Sequence, residues 1–207
     1  MVQGQPLVLL ARHGQTAGNQ AAVFRSRMDF PLDEKGVQDA HELGAHVAAH
    51  YPQVKLIAAS PMQRTMQTAG VVAQQTGASV EKDSRLLPWH AGLLTGTKRN
   101  PKSEALRDYY VQHAEKPIPG GESIAQSENR MHGVLKAAIH HGQTKGLVLL
   151  ATHGLGIKAA ETLVKGQRNP TGDAAMIEPG GLAGIFQGAN GLEMHPLFKG
   201  GETPVTS

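Results

Sequence analysis

The stretch that decides the fold is LVLLARHG at residues 7–14, and the chain nearly repeats it as LVLLATHG at residues 147–154. In both places a short apolar run is followed at once by His-Gly, which supplies His13 and His153. Such a run is typical of a parallel strand covered by helices on both faces. Because ligands bind beyond the carboxyl ends of these strands, we expect both imidazoles at one rim of a sheet. The competing interpretation is a chance match of apolar letters and two ordinary strand-end histidines.

The rest of the chain alternates predicted strands and helices. Further strands are predicted at 54–59, 182–186 and 192–195, with an Asn-Gly turn between the last two. Helices are predicted from an Asp33 cap to about His50, from a Ser60 cap to about Gln75, over 101–113, from a Ser123 cap to about His140, and over 155–165. This order favours an α/β fold, a three-layer sandwich with a mostly parallel central sheet and helices on both faces.

The length suits a single domain over residues 1–207. Residues 81–122 are interrupted by proline and glycine, and we interpret them as an irregular and helical excursion over the rim of the sheet. Residues 15–19 and 24–31 are expected to be rim loops, and residues 199–207 a loose tail.

Composition narrows the function classes. Without cysteine, disulfides and thiol nucleophiles are excluded. A net charge of +3 with no basic run argues against nucleic acid and suits a small anionic substrate. No apolar run approaches the roughly 20 residues of a spanning helix, so we expect a cytoplasmic protein without a membrane partner. The oligomeric state is open, with a homodimer as one option.

Two arginines are expected beside the histidine pair. Arg12 precedes His13, and Arg64 lies early in the helix after the second strand. Guanidinium forks match phosphate oxygens, and neutral imidazole is a competent nucleophile near neutral pH. One histidine can attack phosphorus while the other groups hold its oxygens, with backbone amides after Gly14 and Gly154 as further donors.

The motifs resemble those of the histidine phosphatase superfamily, the phosphoglycerate-mutase-like family. The matching stretches follow one another in the family's order at residues 12–19, 29–40, 60–69, 119–123 and 152–154. The resemblance implies that His13 is the nucleophile that becomes phosphohistidine. It also implies a phosphate pocket of Arg12, Asn19, Arg64 and His153, with substrate contacts at Gly14, Gln15, Thr16, Glu122 and Gly154.

One position departs from the family pattern. Pro88 stands where the resemblance leads us to expect a glutamate acting as general acid, and proline cannot give a proton. His90 is nearest in sequence, and an imidazole can act as a general acid, so we favour it as the proton donor. Glu122, Asp29 and Glu104 are the runners-up.

The sequence therefore predicts hydrolysis of a small phosphomonoester through phosphohistidine, without metal or cofactor. His46 and His50 share a helix face, but a solvated face is favoured over a metal site there. Two alternatives stay open. One is a phosphoglycerate-type mutase, which shares the first half-reaction, and the other is a phosphate-ester binding module whose catalysis is weakened by Pro88.

Overall fold

The computed structural model describes residues 4–167 and 177–200. The strands are β1 (Val8–Arg12), β2 (Leu56–Ala59), β3 (Ser79–Lys82), β4 (Val148–Thr152), β5 (Leu182–Gly188) and β6 (Gly191–Phe198). The α-helices are α1 (Ala17–Gln20), α2 (Glu34–His50), α3 (Gln63–Thr76), α4 (Pro101–Gln112), α5 (Ile124–Thr144) and α6 (Gly154–Lys165). Two short 3₁₀ turns cover Ser84–Leu86 and Gly92–Leu94.

The six strands form one sheet in the order β3-β2-β4-β1-β5-β6. The first four are parallel, and β5 runs antiparallel to β1. The two repeated stretches are neighbours and pair residue for residue, from Val8 opposite Val148 to Arg12 opposite Thr152. The predicted mostly parallel sheet is confirmed, and the register places His13 and His153 side by side beyond its edge.

Successive residues of β1 point to opposite faces of the sheet, as strand geometry requires. Val8 and Leu10 pack into one core with residues of α5 and α6. Leu9 and Ala11 pack into a second core with residues of α2 and α3. Helices therefore cover both faces, and the predicted three-layer arrangement is confirmed.

Most predicted helix ends agree with the structure. The Asp33 side chain caps α2, and Ser123 and Gln126 form a reciprocal capping box at the start of α5. The predicted stops are left-handed C-caps, with φ of 69° at Gly77 and 66° at Gly166. These signals act over a few residues, so the sequence alone identifies them.

The predicted start of α3 is wrong. The helix begins at Gln63 with Met62 at the N-cap position, and the Met62 side chain makes no capping hydrogen bond. The Ser60 hydroxyl contacts the His153 ring instead. Thr65 stabilises the turn locally, because its hydroxyl lies 2.8 Å from each of the carbonyl oxygens of Ser60 and Met62.

Two expectations at the rim also change. Residues 81 and 82 belong to the edge strand β3 rather than to the excursion, which contains α4 and both 3₁₀ turns. Residues 17–20 form the short helix α1 and not a loop. Of the predicted tail, residues 201–207 lie outside the described residues. Among the helices of the described ranges, none has the length and apolar character that a bilayer crossing needs.

Candidate active site

His13 and His153 meet at the carboxyl ends of β1 and β4. Both are buried, each with 4% of its surface exposed. Their ring centroids lie 5.3 Å apart with an interplanar angle of 61°, an edge-to-face arrangement. The structure thus brings together the two residues that the repeated stretch singled out.

The hydrogen bond of His13 fixes its tautomer. Nδ1 lies 2.7 Å from the carbonyl oxygen of Gly14, which can only accept, so Nδ1 carries the proton. Nε2 is left with a lone pair, as a nucleophile requires. Burial, and then the charge of Arg64, lower the pKa of His13 from 6.5 to about 3, with smaller effects of Arg12 and Arg25. The ring therefore stays neutral at ordinary pH.

Arg12 and Arg64 are held by backbone carbonyls rather than by carboxylates. Arg12 donates from Nη1 to the carbonyl of Ile177 at 2.8 Å, and Arg64 donates from Nη1 to that of Met28 at 3.0 Å. Burial, and then the charge of Arg25, lower the pKa of Arg64 to about 10. Within the described ranges, the buried Nε of Arg12 has no hydrogen-bond partner. The pocket is therefore cationic and keeps an unused donor.

A third arginine, Arg25, belongs to this group and was missed by sequence reasoning. Burial, and then the charge of Arg25, lower the pKa of Arg12 and of Arg64, and the same charge is the smallest of the influences that lower the pKa of His13 and His153. The pKa of Arg25 is itself lowered, first by burial and then by Arg99. The only signal in the sequence was the density of charge in residues 24–31.

A backbone ladder positions Arg25. Phe24 donates to the carbonyl of Thr97 at 3.0 Å, and Gly96 donates back to Phe24 at 2.9 Å. The guanidinium carbon of Arg99 stacks 4.4 Å from the centre of the Phe24 ring. Residues 22–24 are therefore held against residues 96–99, which fixes the backbone beside Arg25.

His153 is tied to the end of β2 by Ser60. Its Nε2 lies 2.9 Å from Ser60 Oγ, and in the described part of the chain its buried Nδ1 has no partner. Burial, and then the charges of His13 and Arg64, keep the pKa of His153 well below 6.5. A neutral ring with one unpartnered nitrogen thus lies beside the arginine cluster.

The Gly14 amide is engaged by a hydrogen bond within the protein. It donates to the hydroxyl of Thr68 at 3.1 Å and is not available to a ligand. The position needs glycine because a Cβ there would lie 2.3 Å from the carbonyl oxygen of Gly36. Gln15 is likewise engaged, since its amide and side chain donate to Asp39 and Asp33 at 3.0 and 3.2 Å. The polar groups of both residues are therefore held by contacts within the protein.

Asn19 and Thr16 form a local unit at α1. The Asn19 carbonyl oxygen accepts from the Thr16 amide at 3.1 Å and from its hydroxyl at 2.6 Å. The Asn19 side-chain nitrogen is thereby the end of the amide that can donate to a ligand. Gly154 begins α6, and a Cβ there would lie 3.7 Å from the Arg12 guanidinium carbon, an ordinary contact distance.

The carboxylate of Glu122 holds the segment that carries His90 by hydrogen bonds. One oxygen accepts from Arg27 at 3.2 Å, from Arg130 at 2.6 Å and from the His90 amide at 2.9 Å. The neighbouring Ser26 hydroxyl donates to the Trp89 carbonyl at 3.1 Å. The structure therefore places the His90 backbone against the loop of Arg25. The Glu122 carboxylate, which was predicted to bind substrate, makes its contacts within the protein.

Asp29 and Glu104 have separate partners. Asp29 accepts from the amide of Gln63 at 2.7 Å, and Glu104 pairs with Arg99 at 2.7 Å. The residues of the described ranges contain no cluster of three metal-ligating side chains. No residue is therefore assigned to a metal.

The predicted solvated face of α2 needs a correction at His46. Its ring stacks on those of His50 and Phe198, at centroid distances of 4.3 and 4.7 Å. Burial, and then the charge of His50, lower the pKa of His46 to about 4. These contacts make it a packing residue at the end of the sheet.

Comparisons with known proteins identify the family to which this chain is similar. The histidine phosphatase superfamily (branch 1) matches residues 8–187. A Yersinia pestis protein named "Probable phosphoglycerate mutase GpmB" is 30% identical over 171 residues, which cover 75% of this chain and 79% of that protein. The crystal structure of a phosphoglycerate mutase from Thermus thermophilus has a TM-score of 0.63 at 25% identity and covers 86% of this chain and 91% of its own.

A phosphatase structure shares the fold as well. Mycobacterial glucosyl-3-phosphoglycerate phosphatase superposes with a TM-score of 0.76 at 20% identity, covering 93% of this chain and 98% of its own. Because the family model matches residues 8–187, which include both His13 and His153, this chain belongs to the histidine phosphatase superfamily.

Proposed function

We propose that this protein hydrolyses small phosphomonoesters through a phosphohistidine on His13. The observation that carries the proposal is a neutral, buried His13 whose Nδ1 donates to the Gly14 carbonyl, leaving the Nε2 lone pair for attack. Catalysis of phosphoryl transfer depends almost entirely on positioning and on fixed positive charge. The site supplies both.

In the first half-reaction, His13 Nε2 forms a bond to phosphorus and the ester P–O bond breaks. Arg12, Arg64 and Arg25 stabilise the charge on the phosphoryl oxygens, with Asn19 and His153 as further donors. The leaving alkoxide takes a proton from His90, which stands in for the glutamate absent at Pro88. The products are the free alcohol and phosphohistidine.

In the second half-reaction, water attacks phosphorus and the N–P bond returns its electron pair to Nε2. The proton lost by the water goes to the donor of the first step, which is now a base. Inorganic phosphate leaves and the original state is restored. Because arginine remains charged throughout, the pocket needs no change of protonation to hold the dianion.

Trapping tests this mechanism directly. The enzyme is mixed with an aryl phosphate and quenched in base, where phosphohistidine survives, and its peptides are analysed by mass spectrometry. We expect a phosphate adduct on the peptide that holds His13, and neither adduct nor turnover in His13→Ala. A chain that turns over the ester without an adduct contradicts the proposal.

A mutase is the competing function, favoured by the name of the Yersinia pestis relative. It shares phosphohistidine formation but must pass the phosphoryl group to a second alcohol before water arrives. The absence of a glutamate at Pro88 weighs against efficient recharging of such an intermediate. With 3-phosphoglycerate as substrate, release of inorganic phosphate supports the phosphatase, and a moved phosphoryl group supports the mutase.

The remaining alternative is a binding module. It predicts saturable binding of inorganic phosphate, measured by calorimetry, together with no adduct and no phosphate release. Trapping, the product assay and calorimetry together separate the three functions.

A further inference from the structure

Ser60 makes a contact that its sequence context does not foretell. The residue is fully buried between β2 and α3, and its amide donates to the carbonyl of Ala151 in β4 at 3.0 Å. That bond places its hydroxyl beside the end of β4, where Oγ lies 2.9 Å from Nε2 of His153. A residue that looked like a helix cap thus reaches the ring expected to hold the phosphoryl group.

The protons of this contact can be assigned. A hydroxyl has one proton, and in residues 4–167 and 177–200 the only side-chain contact of the Ser60 hydroxyl is His153 Nε2. If Nε2 carried the ring proton, the Ser60 proton would be buried without an acceptor, which is costly. Donation from Ser60 to Nε2 satisfies both of these atoms and leaves only Nδ1 unpaired, whereas the opposite arrangement leaves both the Ser60 proton and the Nδ1 lone pair unpaired. The proton of the neutral ring then sits on Nδ1.

The tautomer of His153 matters because it decides whether the other ring nitrogen, Nδ1, is a donor or an acceptor. Nδ1 of His153 is buried and has no partner in the described residues. It belongs to the same cluster as His13, Arg12 and Arg64. An N–H there complements a phosphoryl oxygen, whereas a lone pair would repel it.

We infer that Ser60 is a positioning residue that holds His153 in its Nδ1–H tautomer, so that the ring offers a donor to the phosphoryl group. Both histidines are then in the Nδ1–H tautomer, but their Nδ1 and Nε2 atoms have opposite functions. His13 donates its Nδ1–H to the Gly14 carbonyl and attacks with Nε2, while His153 accepts from Ser60 at Nε2 and donates from Nδ1.

Nitrogen NMR of the unliganded protein tests the inference. In the ¹⁵N-histidine-labelled chain, long-range proton–nitrogen spectra distinguish a protonated from a bare ring nitrogen. We expect His153 to show a protonated Nδ1 and a bare Nε2. In Ser60→Ala the two tautomers should mix, so that the two nitrogen shifts move toward each other.

Thr65→Val is the matched control. It removes a buried hydroxyl from the same turn, one whose hydrogen-bond contacts are the backbone carbonyls of Ser60 and Met62, and it should leave the His153 shifts unchanged. A protonated Nε2 in the wild type, or wild-type shifts in Ser60→Ala, would overturn the inference.

The consequence for turnover rests on the proposed function and is measured separately. With an aryl phosphate, Ser60→Ala should lower kcat about 10- to 100-fold while KM changes little, by analogy with losing one oriented donor. Ser60→Thr keeps the hydroxyl and should restore most of kcat if the added methyl group fits. Failure of the proposed function removes the turnover but not the NMR result, so the two failures are distinguishable.

Discussion

The imidazoles of His13 and His153 lie edge to face with centroids 5.3 Å apart, although the residues are far apart along the chain. The link between them is the register of two neighbouring parallel strands, which pairs Arg12 with Thr152. Both rings are neutral because burial is the largest influence on each pKa. The pair and its surroundings can be tested one residue at a time.

Loss of an arginine should weaken turnover according to its place in the pocket. Arg64→Ala should lower kcat roughly 100-fold or more, since it removes a preorganised donor from a buried site. Arg25→Ala should cost about 10-fold and raise KM more than it lowers kcat, because Arg25 is more exposed. Steady-state kinetics with an aryl phosphate measures both.

The control for these arginines is Arg85→Ala. The Arg85 side chain is exposed and pairs only with Asp83 among the described residues, so its removal should leave kcat and KM unchanged. An unchanged rate in Arg64→Ala would remove that residue from the site.

The proposed proton donor can be tested by the choice of leaving group. His90→Ala should slow the hydrolysis of alkyl phosphates far more than that of aryl phosphates, whose leaving groups need little protonation. The comparison requires kcat/KM for one ester of each kind. Equal losses on both esters would rule out His90 as the donor.

Burial of His13 makes stability depend on pH. Its pKa is about 3 in the folded chain against an ordinary value of 6.5, so between these values the unfolded chain binds a proton that the folded chain does not. The free energy of unfolding should therefore fall as pH drops below about 6.5, by up to about 1.4 kcal/mol per pH unit from this group.

His13→Asn isolates that contribution. Its side-chain amide can still donate to the Gly14 carbonyl but cannot titrate. Urea unfolding at about pH 7, 6 and 5, which spans the range where the unfolded histidine gains its proton, should give a shallower pH dependence for the variant than for the wild type. Parallel curves would show that His13 is not held neutral by the fold.

The contact between the start of α2 and the loop after His13 should not tolerate a methyl group. A Cβ at Gly36 would lie 1.9 Å from the backbone oxygen of Gln15. Gly36→Ala should therefore cost about 1–3 kcal/mol of unfolding free energy. It should also lower kcat, because the displaced backbone at Gln15 is close in sequence to His13, the proposed nucleophile.

Gly133→Ala provides the comparison. This exposed position in α5 has open space on its side-chain side, where an added Cβ would meet no atom within 4 Å. Replacing a helical glycine by alanine there should stabilise the chain by up to about 1 kcal/mol. Chemical denaturation of the two variants gives the contrast, and equal stability in both would contradict the packing argument.

The sequence predicts the features of this protein that depend on hydrophobic periodicity and on interactions between residues close together in the chain. The repeated apolar run identifies two buried parallel strands, and its His-Gly ends identify the rim of the site. Ser123 with Gln126 predicts a helix start because capping is decided within one turn. The missed strand β3 is short and mostly exposed, with Val80 as its one apolar residue, so it carries little periodic signal.

Ser60 and Arg25 show why the rest could not be predicted. Ser60 carries a valid local cap signal, but a histidine from a distant strand competes for the hydroxyl and takes it. Arg25 reaches the pocket through a ladder between residues 22–25 and 96–99, which no local pattern encodes. Contacts between distant segments decide both outcomes.

The position of β1 between β4 and β5 has a consequence for biosynthesis. Both strands that hydrogen-bond to β1 come after residue 147 in the chain, so the backbone of β1 lacks its partners through most of translation. A nascent chain that ends after α5 would contain His13 and Arg64 but neither of the strands that pair with β1. We therefore expect His13 and His153 to be brought together only after β4 has been made, and residues 7–12 to lack both partner strands until then.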